Sequence, residues 1–339
     1  MTLPVRMGIT LPVPPDVDAS LRTAEWAEAQ GYDGVWLADV GEIDSLTLAA
    51  AIALRTRRVR IGTAIIPVYT RTPVVLASTA YTLAQLAPGR FILGLGASSH
   101  LMIEGWHGLK LERPLTRVKE TALIVRQALT GEPTRFEGAT LRSTGYKLSQ
   151  AAAVPIHLAA LRAKMLELAG EIGDGVVVNL FPARILPRLL EHIAAGAARS
   201  GRKLEELEIV CRHQICVTAN PAAARDLFRR RFAPYFSTPV YNKFLAWSGH
   251  EDAARAIAEG WRAKDRNATQ AALTDEIVDQ IAIIGDEAHC HARLRELIRG
   301  GITTPIVACF SPDPAEFRAT YDAFVPARFP VSRPLPPAP

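Results

Sequence analysis

Cysteine is scarce in this chain, with four in 339 residues, and none of the four is spaced to hold a metal. Cys211 and Cys216 stand five apart on a strand-like run, which sends them to opposite faces. His289-Cys290-His291 falls on a helical pattern, where consecutive side chains project about 100° apart and do not converge on one ion. Sparse, unpatterned thiols fit a reducing cytoplasm. Long apolar runs are missing too: every uncharged stretch is broken by Pro, Gly, Thr or Ser, which excludes a membrane-spanning helix. Met1 to Thr10 lacks the charged start and apolar core of a signal peptide, so a cytoplasmic protein is expected. Charge of one sign is only mildly in excess. A net charge of +5 does not demand nucleic acid, and the densest basic run, Arg229-Arg230-Arg231, reads as a solvated helix face. Neither nucleic acid nor a membrane is therefore expected as a partner.

What is present is an alternation. Apolar strand-like runs occur at Val5–Thr10, Gly34–Leu37, Val59–Ile65, Phe91–Leu95, Ile156–Ala159, Gly175–Asn179, Glu208–Val217 and Thr304–Cys309. Helical patterns lie between them, at residues 21–30, 46–55, 117–130, 165–172 and 189–198. In the clearest, Val118, Ala122, Val125 and Leu129 recur at helical spacing before Gly131 and Pro133. Eight strands alternating with helices predict an α/β fold, a (β/α)8 TIM barrel, as one domain over 1–325. Two stretches break the pattern: 134–150, with glycines spaced like hairpin turns, and 232–279, a long helical excursion. Such inserts on the C-terminal face of a barrel shape pockets or oligomer contacts. The proline-rich tail, 326–339, is expected to be extended or disordered.

The segment Arg60 to His100 carries the most information. A β-branched strand leads into a polar turn, then into a helix capped by Thr72 with Pro73 at its first position. That helix stops at Pro88-Gly89, and the next strand ends in Gly96-Ala97-Ser98-Ser99. Loops of small residues at the C-terminal ends of parallel strands are where ligands sit, because backbone N–H groups can approach a ring or phosphate there. Other chemistries on such a barrel find no support. Gly8-Ile9-Thr10-Leu11 lacks the H-x-H of a metal-dependent hydrolase, and the lysines fall mostly on helices or outer loops, not at strand ends suited to a Schiff base.

The runs G-T-x-x-x-P-x-x-x-R-x-P (62–73) and A-P-G-R-x-x-L-G-L-G-A-S-S (87–99) resemble the bacterial luciferase-like superfamily of flavin- and deazaflavin-dependent oxidoreductases. Tyr69-Thr70-Arg71 and the run Lys164 to Gly175 most resemble its coenzyme F-420 branch, which includes methylenetetrahydromethanopterin reductase. The likeness runs from about Val5 to Ile306 and is specific in three blocks, 33–39, 60–99 and 154–179.

The resemblance implies a cofactor site at Asp39, Ala64, Ile65, Gly96, Ala97, Ser98, Ser99, Leu161, Arg162 and Asn179. It implies a non-prolyl cis peptide at Ala64–Ile65, where the residues alone read equally as an ordinary strand end. Asp39 reads either as an acceptor for the cofactor's polar edge or as a turn cap, and Asn179 either as a phosphate contact or as a cap. Arg162 stands where relatives have glycine, either contacting the phosphate or blocking its approach. Thr10, Val40, His100 and Trp106 are placed to line a substrate pocket, although Trp106 reads as readily as a packing residue. Val40 replaces the histidine that many relatives carry, which counts against an imidazole acid–base mechanism. No general acid or base is assigned. The leading expectation is hydride transfer between coenzyme F-420 (8-hydroxy-5-deazaflavin) and a small organic substrate. The alternative is an FMN-dependent monooxygenase. A homodimer is implied by the same analogy, and a non-catalytic binding subunit is the reading left if no flavin-like ligand is retained.

Overall fold

The computed structural model describes residues 4–14 and 16–331. Eight parallel strands form the frame: β1 (Gly8–Leu11), β2 (Gly34–Leu37), β3 (Arg60–Thr63), β4 (Phe91–Gly96), β5 (Ile156–Ala159), β6 (Gly175–Asn179), β7 (Glu208–Val217) and β8 (Thr304–Cys309). Each pairs with the next in parallel register, and β8 pairs with β1, so the sheet closes on itself. All eight are those expected from the apolar runs, and six match to within one residue at each end. β1 starts later than expected, at Gly8, and β3 ends at Thr63.

Strand side chains alternate, so every second residue enters the barrel. Trp36, Ile92, Val177, Val210 and Ile306 meet there as a cluster separate from the outer core. The Trp36 indole takes the central space. A Cβ on Gly62 would lie 2.4 Å from that ring, and one on Gly8 2.8 Å, so two glycines on flanking strands exist to admit one tryptophan.

Below Trp36, Glu208 closes the floor. Its carboxylate takes the Arg60 fork through two bonds of 2.7 Å, accepts from the Thr304 hydroxyl, and lies 3.6 Å from His157 Nε2. Burial pushes the Glu208 carboxyl up, but the Arg60 fork and its other partners outweigh this and hold it at about 2. Burial also holds His157 neutral, with its pKa lowered to about 4.

Helices pack outside the barrel, at Val17–Ala29, Ser45–Arg55, Pro73–Leu86, Pro114–Leu129, Ala163–Ile172, Leu186–Arg199, Glu287–Arg299 and Pro314–Ala323. Their starts follow capping chemistry: Asp16, Asp44, Thr72, Asp286 and Asp313 each accept a first-turn N–H. Among the described residues no helix is long and apolar enough to cross a membrane.

The 134–150 stretch holds the antiparallel hairpin Arg135–Glu137 and Arg142–Thr144. The second insert holds five helices, from Pro221–Ser237 to Asp275–Ile281, around its own core of Phe228, Phe232, Phe236 and Phe310. It ends in a strand the sequence did not announce, Ala282–Gly285, which pairs with the upper half of β7. At four residues between helices, Ala-Ile-Ile-Gly carries too little alternation to be read as a strand.

The basic run is largely a solvated helix face: Arg230 and Arg231 are exposed, although Arg231 also bonds the Phe310 carbonyl and the half-buried Arg229 bonds the Leu273 carbonyl, Asp226 and Asp275. One expectation is corrected. The described start of the tail, 326–331, is not a loose extension. Phe329 is fully buried, with its ring 4.8 Å from His291 and 5.1 Å from Phe324. Residues 332–339 of that tail lie outside the described residues.

Candidate active site

At the C-terminal ends of β3 and β4 the chain folds into a shelf. Thr63 Oγ1 donates to the Gly94 carbonyl at 3.0 Å and accepts from the Gly94 N–H at 2.8 Å, locking the two strands together. A Cβ on Gly94 would fall 1.8 Å from the Thr63 carbonyl oxygen, so only glycine permits this approach. The Ala64–Ile65 peptide that follows is cis. Beyond it, Ile66–Pro67 rejoins Leu95–Gly96 in parallel register. Ile65 lies over Gly96, where a Cβ would come 2.8 Å from the Ile65 side chain and 3.0 Å from Ala159. Ala64, Ile65 and Ala159 are half-buried against the barrel cluster and form a flat apolar patch at the mouth.

Beside the shelf, Gly96-Ala97-Ser98-Ser99 turns out of β4. Ser98 adopts φ 65°, its hydroxyl 3.2 Å from Met102 Sδ, and Ser99 Oγ accepts from the Met102 N–H at 3.4 Å. His100 follows with Nδ1 buried and unpartnered. A π-helical turn, Leu101–Trp106, then leads away; such turns are frequent at functional sites. Trp106 and Val40 are exposed at the rim, with the indole against Gly41. Of the four pocket candidates, these two share the outer lip, whereas Thr10 is buried inside the barrel.

Asp39 is engaged by protein. Arg71 Nη1 donates to it at 2.7 Å, and Arg71 also pairs with Asp44, the cap of the helix Ser45–Arg55. Burial pushes Asp44 up, but Thr47 and Arg71 outweigh it and lower its pKa.

After β5 the backbone passes through half-buried Leu161 to Arg162, which is extended and exposed, and then enters the helix Ala163–Ile172. No side chain caps that helix. The N–H groups of Ala163 and Lys164 therefore face outward beside a cation, a ready anion site.

The opposite wall was only partly visible in the sequence. Asn179, ending β6, donates through Nδ2 to the Tyr241 hydroxyl at 3.2 Å, while its Oδ1 is buried without a partner. Tyr241 belongs to the insert helix Pro239–Trp247. Arg212, on β7, was missed. It points inward, and its Nε donates to Thr10 Oγ1 at 3.1 Å. A signal existed: the even residues of β7 read Glu208, Val210, Arg212 and Gln214, a polar inward face on an otherwise apolar strand. His213, on the other face, sits outside the mouth; burial lowers it to about 3. Among the described residues no group of three His, Cys, Asp or Glu side chains could hold a metal.

Residues 1–304 match the family described as luciferase-like monooxygenase. The chain is 32% identical over 284 residues to the 5,10-methylenetetrahydromethanopterin reductase of Methanolobus tindarius, covering 83% of this chain and 86% of that one. It is 29% identical over 285 residues to the enzyme of the same name from Archaeoglobus fulgidus, covering 82% and 85%. Among solved structures, the coenzyme F-420-dependent tetrahydromethanopterin reductase of Methanopyrus kandleri superposes with a TM-score of 0.82. It is 23% identical, with 96% of this chain and 99% of that one covered.

Proposed function

The chain belongs to the luciferase-like monooxygenase family, and we propose that it is an oxidoreductase that binds coenzyme F-420 and passes a hydride between it and an organic substrate. The observation that carries this reading is the pairing of an apolar shelf with an anion site on one rim. Ile65, seated over Gly96 and beside Ala159, offers an apolar floor for a planar ring, and the open helix start at Arg162 suits an acidic tail. The residues present thus fit the group. Likeness to relatives named as reductases that act on a pterin supports the same choice. A bound deazaflavin supplies a carbon that carries hydride.

The protein's own part is positional. Thr63 and Gly94 hold the shelf rigid, and the rim turns of Ser98–Ser99 and Leu161–Arg162 flank it. Substrate is thereby held against the open side of the ring, where orientation alone lowers the barrier to a direct transfer. No acid–base pair is needed for the hydride transfer itself, and Val40 supplies none at its position on the lip.

Equilibrium binding of the purified protein to F-420 and to FMN, followed side by side by fluorescence, tests the reading. Saturable, preferential F-420 binding supports it. Preferential FMN binding overturns it and transfers the work to oxygen-consumption assays.

A further inference from the structure

One charge inside the barrel mouth is not answered by the protein. Among the described residues the Arg212 guanidinium makes a single hydrogen bond, to Thr10, and no salt bridge. Its register partner on β6 is Asn179, whose Oδ1 is buried without a partner, as is Gln214 Nε2 two residues further along β7. The other cation nearby, Arg231, commits Nη1 to the Phe310 carbonyl. Burial lowers the Arg212 pKa, yet a guanidinium stays protonated at any physiological pH. A half-buried arginine without a counter-charge is unfavourable, so the fork is arranged for an anion from outside the chain.

Position says which anion. Around a ring of eight strands β7 is four strands from β3, so the fork faces the Ala64–Ile65 shelf across the mouth. A ring lying on the shelf turns its free side toward Arg212, Thr10 and the insert residue Tyr241. A single planar fork matches the two coplanar oxygens of a carboxylate. Arg231, the other cation nearby, is turned to the Phe310 carbonyl, so a phosphate dianion here would have one guanidinium to answer it.

We propose that Arg212 binds a carboxylate of the substrate, and that the substrates are organic acids whose reacting carbon is thereby held against the free side of the ring. This rests on the function proposed above. Thr10 orients the guanidinium through Nε, leaving Nη1 and Nη2 for the ligand.

The protein at saturating F-420 is titrated with formate, acetate, propionate and benzoate and with their primary amides, following cofactor fluorescence. Melting temperatures are recorded in parallel with and without cofactor. The parent protein is expected to bind at least one acid about tenfold or more tighter than its amide, as charge-assisted pairing implies. Arg212→Gln loses that preference, Arg212→Lys keeps part of it, and F-420 affinity stays within about twofold in all three, since the fork lies off the shelf. Equal binding of acids and amides by the parent overturns the proposal, as does a preference that survives in Arg212→Gln. A parallel fall in F-420 affinity also overturns it, by assigning the arginine to the cofactor. If the parent binds no F-420, the oxidoreductase reading falls, while the cofactor-free melting temperatures still decide whether Arg212 selects acids. Should Arg212→Gln fail to fold, Arg212→Lys decides: an undiminished or absent acid preference overturns the assignment.

Discussion

The same strand, β7, carries a charge at each end of the barrel interior, and the two are treated oppositely. At the floor, Glu208 is closed in by Arg60, Thr304 and His157, every charge answered within the protein. At the mouth, four residues on, Arg212 is left with one neutral partner. The floor network joins β3, β5, β7 and β8 and contributes to holding the ring shut. At Arg212 the mouth forgoes such pairing, as the proposed carboxylate site requires. The N-terminal end of a barrel is given to stability and the C-terminal end to ligands, and here one strand shows both.

The largest expected effect breaks the floor. Glu208→Ala leaves Arg60 buried without its partner, and loss of one member of a buried pair costs about 3–5 kcal/mol. Urea unfolding of the variant measures it, and a loss below about 1 kcal/mol would show that the network does not hold the ring.

The floor also predicts an acid limb. Glu208 has a folded pKa of about 2, below its unfolded value, so its contribution is full above roughly pH 4.5 and is lost as pH falls toward 2. His157, at about 4 when folded and near 6.5 when unfolded, takes up protons preferentially in the unfolded chain between those values, so stability declines there too. Both trends run the same way, with Glu208 alone worth about 3 kcal/mol. Stability measured from pH 7 to pH 3 should fall throughout in the parent and less steeply in Glu208→Gln.

A smaller effect comes from the layer above. Gly62→Ala drives a Cβ into the Trp36 ring, and overpacking of this kind costs about 1–3 kcal/mol. Unfolding midpoints test it; a neutral result would mean that the indole can move.

The smallest effects on stability lie at the mouth, which sharpens the contrast. Arg212→Leu should stay within about 1 kcal/mol of the parent or exceed it, because no protein pair is broken. Arg162→Ala, at an exposed residue with no salt bridge among the described residues, should leave unfolding unchanged within about 0.5 kcal/mol while weakening F-420 binding several-fold. A large loss of stability in either would erase the distinction between floor and mouth.

How much of this was legible depends on the range of the interaction. The eight strands, the capped helices and the shelf glycines were readable because periodicity, caps and glycine-rich strand ends are local. Asp39, Ala64, Ile65, Gly96 and Arg162 were found as rim residues by motif, but nothing local said that Arg71 would take Asp39. The strand Ala282–Gly285 was missed because it is too short for a pattern, and buried Phe329 because His291, one of its partners, lies on a helix distant in the chain. Arg212 left a trace in the polar even face of β7. Its meaning needed the knowledge that Thr10, 202 positions earlier, would be its one partner.

The sequence by itself therefore determined the barrel, since strand and helix periods, turn residues and caps act within a few residues of one another. Only the tertiary structure decided which charges are paired and which are left open. Closing the ring sets β7 between β6 and β8, β8 against β1, and β7 opposite β3, and whether a buried charge has a counter-charge is set by neighbours that are distant in the chain.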